Sequence, residues 1–169
     1  GYGAPSGALD LNWIPPSEYI YIAAFKGQSG KPAIHEGQDN IHPSENTPYV
    51  SVQAAADGII AYVRTGCPQS SMFTKNLVLR ECGSGWGNHI LIDHGNGIHT
   101  RYAHLAPGTV TAQVGDTVLA NDLLGEMGNT GRSETRHLHF ELGVAHHGFD
   151  PCAPSQSLDT VYDPATVGL

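Results

Sequence analysis

The sequence predicts a mostly β domain built on a small, curved antiparallel sheet. Three observations carry that prediction. The 21 glycines and 11 prolines are spread along the chain and divide it into short runs of Val, Ile, Leu and Tyr. Runs of that kind, bounded by turn formers, read as strands. The stretches Asp57-Gly58 and His94-Gly95-Asn96-Gly97 stand between such runs, where the chain reverses. Finally, no heptad, internal repeat or low-complexity tract is present, and 169 residues with 40% hydrophobic content can bury one sizeable core.

In chain order, residues 1–30 combine Pro5, Pro15, Pro16 and several glycines with one apolar stretch, Tyr19 to Phe25. This predicts an arm with one strand that packs on the domain. Val50 to Ala55 and Ile59 to Arg64 flank the Asp57-Gly58 turn and predict a hairpin. His89 to Asp93 and Ile98 to Ala103 flank His94-Gly95-Asn96-Gly97, rich in residues that tolerate positive φ, and predict a second. Gly115-Asp116 separates Val110 to Val114 from Thr117 to Ala120. Leu123 to Met127 then leads to a loop, Gly128 to Thr135, and to a strand over Arg136 to Val144. From Asp150 onward there is no periodicity, and three further prolines predict a tail lying over the surface.

Cys67 and Cys82 bracket a segment, Pro68 to Glu81, that reads as an insertion between strands. A disulfide between them is expected, which places the chain outside the reducing cytoplasm. Cys152 is left over, and a buried inert thiol is expected there. The formal charge of −8 opposes binding to nucleic acid or to anionic lipid. No apolar run approaches the roughly 20 residues of a spanning helix, so no membrane insertion is expected. The first residues have neither the basic start nor the apolar core of a signal peptide, so any signal is expected to have been removed.

The chemistry-bearing residues lie in two segments. His137-Leu138-His139 falls in a predicted strand, where residues two apart share a face, so both imidazoles converge while Leu138 points into the core. His35 and Asp39 stand four apart, with Gly37 between them permitting a tight turn. Two histidines and one aspartate would leave a fourth tetrahedral position open for water, the arrangement of catalytic rather than structural zinc. His104, in Tyr102-Ala103-His104-Leu105, reads on its own as a partly buried, hydrogen-bonded histidine. His42, His89, His94, His99, His146 and His147 sit in turn-like or alternating contexts and are expected in solvent. Tyr49, Tyr62 and Tyr102 are expected in the core or in a groove wall. Asn88, Asp93 and Asp116 read as turn or cap residues.

The segments HEGQD (35–39), DG (57–58), IDHGNG (92–97), YAHL (102–105) and GNTGRSETRHLHFEL (128–142) together resemble the lysostaphin-type zinc metalloendopeptidases, a family of peptidoglycan hydrolases. The resemblance covers about residues 31–144. It implies a zinc metallopeptidase domain over 31–150, preceded by the arm (1–30) and followed by the tail (151–169), with loops forming a groove over the β core. It implies one zinc ion per chain, with His35, Asp39 and His139 as ligands. His137 and His104 match the two non-ligand histidines of the family's site. His137, sharing a strand face with His139, is expected to act as general base and His104 to stabilise the oxyanion, although the two roles are exchangeable.

The family commonly has Gly-Pro where Thr135 and Arg136 stand here, so Arg136 either meets a substrate carboxylate or is solvated. The stretches 40–57 and 68–81 are longer than usual and reshape the groove. The expected activity is hydrolysis of peptide bonds in peptidoglycan cross-links or stem peptides by a secreted or periplasmic monomer. Alternatives are a peptidase acting on glycine-rich proteins and a non-catalytic domain that binds the wall or activates a hydrolase.

Overall fold

The structure, a computed structural model, describes residues 4–27 and 35–169. The expected boundary between arm and domain, at residues 30 and 31, lies outside the described residues. Ten strands follow in order: β1 (Ile20–Ala23), β2 (Gln38–Ile41), β3 (Ser51–Gln53), β4 (Gly58–Arg64), β5 (Asn88–Gly95), β6 (Ile98–Leu105), β7 (Thr117–Val118), β8 (Leu123–Glu126), β9 (Leu138–Val144) and β10 (Thr160–Tyr162). Among the described residues there are short 3-10 turns and no α-helix.

Eight strands form one antiparallel sheet in the order β1-β2-β9-β6-β5-β4-β7. β10 pairs with β9 at Leu142 to Val144, beyond the stretch Leu138 to Phe140 that β2 covers, so one edge of β9 is shared by two strands. β3 and β8 form a second, two-stranded sheet. Val52, Ile60, Ile90, Ile92, Tyr102, Leu105, Leu124, Leu138 and Phe140 make the main core. β6 is buried along its whole length, because it lies mid-sheet with both faces covered, and so shows no alternation.

The β5–β6 hairpin forms as expected. Its two loop residues, Asn96 and Gly97, both have positive φ (54° and 78°), the geometry that lets a two-residue turn follow strand twist. The expected hairpin over 50–64 does not form. β3 pairs with β8, and both edges of β4 are taken by β5 and β7. Ala54, Ala55 and Ala56 are buried, which a solvent-facing hairpin turn would not allow, and the chain crosses there from one sheet to the other. The Asp57 carboxylate accepts from the Ala120 amide instead of closing a turn.

The arm contributes β1 as an edge strand and seats Ala8 and Trp13 on the domain. The C-terminal segment is more than a surface tail. It supplies β10, buries Leu158 and Val161 in a smaller cluster with Phe149 and Tyr62, and buries Leu169 in the main core. Cys67 and Cys82 are bonded, closing a loop whose cross-link contributes about 3 kcal/mol through chain entropy. Cys152 is exposed, not buried, because it follows a turn in which Asp150 accepts from its amide.

Candidate metal centre

The site lies on the face of β2, β9 and β6 opposite the main core. Asp39 and His139 are direct cross-strand partners, and Ala103 is the partner of His139 on the other side, so all three face the same way. His35 sits at an isolated bridge to Lys26 just ahead of β2. The backbone there runs so close to β9 that a Cβ on Gly37 would come 2.3 Å from the Phe140 carbonyl oxygen. Gly37 is therefore required by close approach rather than by a tight turn.

One ligating atom from each of His35, Asp39 and His139 can be chosen so that all lie within 4.8 Å of one another. His35 Nε2 is 3.2 Å from Asp39 Oδ2, and His139 Nδ1 is 2.9 Å from Asp39 Oδ1. His137 Nε2 stands 3.6 Å from the same Oδ1. Strand alternation would turn His104 into the core with Tyr102. A bulge where β6 pairs with β5, with His104 at φ 60°, turns it the other way. Its ring lies 4.6 Å from that of His137 and 6.1 Å from that of His139.

Backbone carbonyls decide which imidazole nitrogens carry hydrogen. A carbonyl only accepts, so Nδ1–H donates to Ala24 O from His35 (3.0 Å), to Thr130 O from His104 (2.7 Å) and to Thr135 O from His137 (2.8 Å). In the neutral rings this puts the lone pair on Nε2, free at His104 and His137 and turned toward Asp39 Oδ2 at His35, whose Nε2 gains a hydrogen and donates to that oxygen when the ring is protonated. His139 is reversed, with Nε2 donating to Glu141 Oε1 at 2.9 Å and Nδ1 turned inward. Glu141 is held in turn by Arg101 Nε at 3.0 Å and by Trp86 Nε1 at 3.2 Å, and the Arg101 guanidinium lies 3.6 Å from the centre of the Trp86 ring. Arg101 and Glu141 are both almost wholly buried. A carboxylate behind a ligating imidazole fixes its ring and raises its basicity.

The charges follow this geometry. Burial would raise the Asp39 pKa, but hydrogen bonds from His139 and His35 outweigh it and lower it. Burial likewise opposes a proton on His139, yet Asp39 and Glu141 raise it to about 9. That proton stands where a cation would balance two carboxylates. Burial lowers both His137 and His104, which stay neutral. The donor set suits zinc: two imidazole lone pairs and one carboxylate converge, with two neutral histidines alongside.

The remaining histidines differ among themselves. His146 and His147 are exposed, and His42 and His94 are half-buried. His89 and His99 are buried, contrary to expectation: His89 stacks on Tyr62, and His99 packs on Phe149 under the C-terminal segment. Tyr62 and Tyr102 are core residues, whereas Tyr49 is exposed. Arg136 neither meets solvent nor faces the cavity. It is buried, donates to the Thr47 and Ser44 carbonyls and covers the Phe73 ring.

Burial lowers His89 to about 3 and His94 to about 4. Their folded pKa values lie below the unfolded value of 6.5, so the unfolded chain binds more protons in that window, and stability is lost as pH falls below 6.5. His139, raised to about 9 in the metal-free chain, contributes stability that is full below 6.5 and lost as pH rises through 9. The midpoint of urea unfolding, measured with chelator present, should therefore peak near pH 6.5 and fall on both sides.

Sequence reasoning missed Glu141, Arg101 and Trp86. The period-two argument that pairs His137 with His139 extends one step further to Glu141, so a signal was present. Arg101 and Trp86 depend on cross-strand register and loop placement.

The profile of peptidase family M23 matches residues 33–151. The DD-carboxypeptidase/endopeptidase Mpg of Neisseria meningitidis is 33% identical over 137 residues, covering 78% of this chain and 26% of that protein. The peptidoglycan DD-endopeptidase ShyA of Vibrio cholerae is 43% identical over 58 residues, covering 34% of this chain and 13% of that protein. The chain thus spans about a quarter or less of these relatives. Among solved structures, the catalytic domain of the prophage-encoded protein EnpA from Enterococcus faecalis superposes with a TM-score of 0.58 at 18% identity, covering 99% of this chain and 98% of that one. The catalytic domain of lysostaphin from Staphylococcus simulans gives 0.54 at 24% identity, covering 87% and 90%.

Proposed function

The chain belongs to peptidase family M23, and from that premise we propose that it is a zinc-dependent endopeptidase acting outside the cytoplasm on peptide bonds of peptidoglycan cross-links or stem peptides. The observation that carries the reading is the convergence of His35, Asp39 and His139, with the Nε2 lone pairs of His104 and His137 beside them. Those three residues would hold one zinc ion. Zinc bound there supplies Lewis acidity, polarising a water molecule and the scissile carbonyl.

The chain's own residues handle the proton. His137, its Nδ1–H given to Thr135, takes a proton at Nε2 as general base. His104, its ring 4.6 Å from that of His137, presents the same kind of nitrogen, and it would donate to an oxyanion after taking up at Nε2 a proton that the attacking water releases. Trp86 and the backbone of Gly85 wall the open cavity, about 340 Å³ in volume, and keep a bound peptide against these groups. The disulfide supports an extracytoplasmic setting. We assign residues 31–150 as the catalytic unit, with 1–30 and 151–169 as extensions that complete its sheet, and expect a monomer.

A wall-binding domain without activity is the second reading, and the full complement of ligands and both extra histidines argues against it. Purified peptidoglycan is incubated with the zinc-loaded protein, with and without chelator, while turbidity is followed and fragments are weighed by mass spectrometry. Chelator-sensitive clearing with new amino termini is expected. Absence of release from several wall types by zinc-loaded protein would refute the reading.

A further inference from the structure

Eight basic residues stand in a chain of formal charge −8, and the cavity over the metal centre is lined by one of them, Arg132. Arg101 is buried and engaged by Glu141, and Arg136 is spent on backbone carbonyls, so neither can meet a substrate. Arg132 differs from both. Its backbone is fixed, with its amide donating to Gly85 O at 2.8 Å and its side-chain methylenes lying against Gly85. The preceding residue, Gly131, has φ 71°, and a Cβ there would come 2.4 Å from both Gly85 O and Gly87 N. The two loops are therefore pressed together, and the buried Asn76 ties the Gly131 loop to the 70–78 segment by donating to Gly131 O at 2.8 Å.

The guanidinium itself is exposed. Nε and Nη2 both donate to a single oxygen of Glu81, which is exposed as well. This is a one-oxygen contact, short of the two-oxygen fork that an arginine makes with a well-placed carboxylate. Among the described residues Nη1 has no hydrogen-bond partner. Glu81 adjoins Cys82, which the disulfide ties to Cys67. Exposed pairs of this kind add little to stability, so a substrate carboxylate can replace Glu81 without loss.

We propose that Arg132 is a specificity-determining residue that binds a carboxylate on the peptide residue next to the scissile bond, with Glu81 occupying it when no substrate is bound. The substrate class is then a peptide with an acidic group beside the cleaved bond, in preference to a bridge made of glycine alone. The inference rests on the reading of the site as a peptidase centre. It follows that the preference weakens as salt rises, because both partners are screened.

The test uses two synthetic cross-linked peptides identical except for a carboxylate or a carboxamide on that residue. Both kcat/KM and affinity are measured with zinc-loaded protein. The wild type should favour the carboxylate about tenfold, the scale of one partly exposed charge-assisted bond. Arg132→Gln should bring the ratio to about one, Arg132→Lys should keep part of it, and Glu81→Gln should raise it. Zinc content and melting temperature of each variant check that the fold is retained. A wild-type ratio near one, or a tenfold ratio that survives Arg132→Gln, overturns the inference. A tenfold affinity difference that depends on Arg132, with neither peptide cleaved, would uphold it and overturn the peptidase reading instead.

Discussion

Replacing His139 by alanine is expected to abolish bound zinc and peptidase activity together, whereas His137→Ala abolishes activity and leaves most of the zinc in place. The difference follows from the distances. His139 Nδ1 lies 2.9 Å from Asp39 Oδ1 and belongs to the cluster whose ligating atoms lie within 4.8 Å of one another, while His137 Nε2 lies 3.6 Å from that oxygen. Loss of one of three proposed ligands would remove a bond to the ion, together with the imidazole that lies between the half-buried Asp39 and the buried Glu141 carboxylates. Loss of His137 would remove only the proposed general base, which is not among the three proposed ligands. General base catalysis contributes about a hundredfold to ten-thousandfold, so the His137→Ala enzyme should fall by that factor. Metal analysis of dialysed protein beside fragment release from peptidoglycan measures both quantities. Equal loss of zinc in the two variants would show that the ligand set is drawn wrongly.

The Arg101–Glu141 pair should show the second large effect, divided between stability and metal affinity. Arg101→Met strands a fully buried carboxylate and should cost about 3–5 kcal/mol, read from denaturant unfolding. Glu141→Gln keeps an oxygen for His139 Nε2 but removes the negative charge behind the ring. Affinity for zinc should fall by about 10- to 100-fold in a chelator competition. The double variant should regain much of the stability that Arg101→Met loses, since no unpaired charge remains, yet keep the weakened zinc affinity. A double variant as unstable as the sum of the two would mean that Arg101 acts through packing against Trp86 and not through charge. Burial opposes the charge on Glu141, but Arg101 outweighs it and lowers the carboxyl to about 2, so the pair stays ionised throughout the range where these assays are run.

What could be read from the chain alone was local. The Asn96-Gly97 turn is legible because positive φ at two successive positions is a property of those residues, and the hairpin over 88–105 follows. His137 and His139 share a face because strand alternation is a fixed period, even though His137 lies just ahead of β9, bridged to Gly128. The same period reaches Glu141. Motif order along 35–142 was enough to indicate the family, and residue types brought His35, Asp39, His137 and His139 forward, while the resemblance proposed His139 over His137 as the third ligand.

Tertiary structure decided everything that depends on which strand lies beside which. Asp39 meets His139, 100 residues away, through the pairing of β2 with β9, and no local pattern encodes that register. The hairpin expected over 50–64 gives way to β3–β8 pairing because buried alanines favour a crossing between sheets over an exposed turn. His104 faces the site because a bulge reverses the alternation that would have buried it in the core. The same kind of non-local choice spends Arg136 on the 44–47 loop and leaves Arg132 at the cavity. Side-chain type and short-range periodicity are written residue by residue. Register, bulges and loop docking are set by the burial of a whole core, and that is a property of the folded chain.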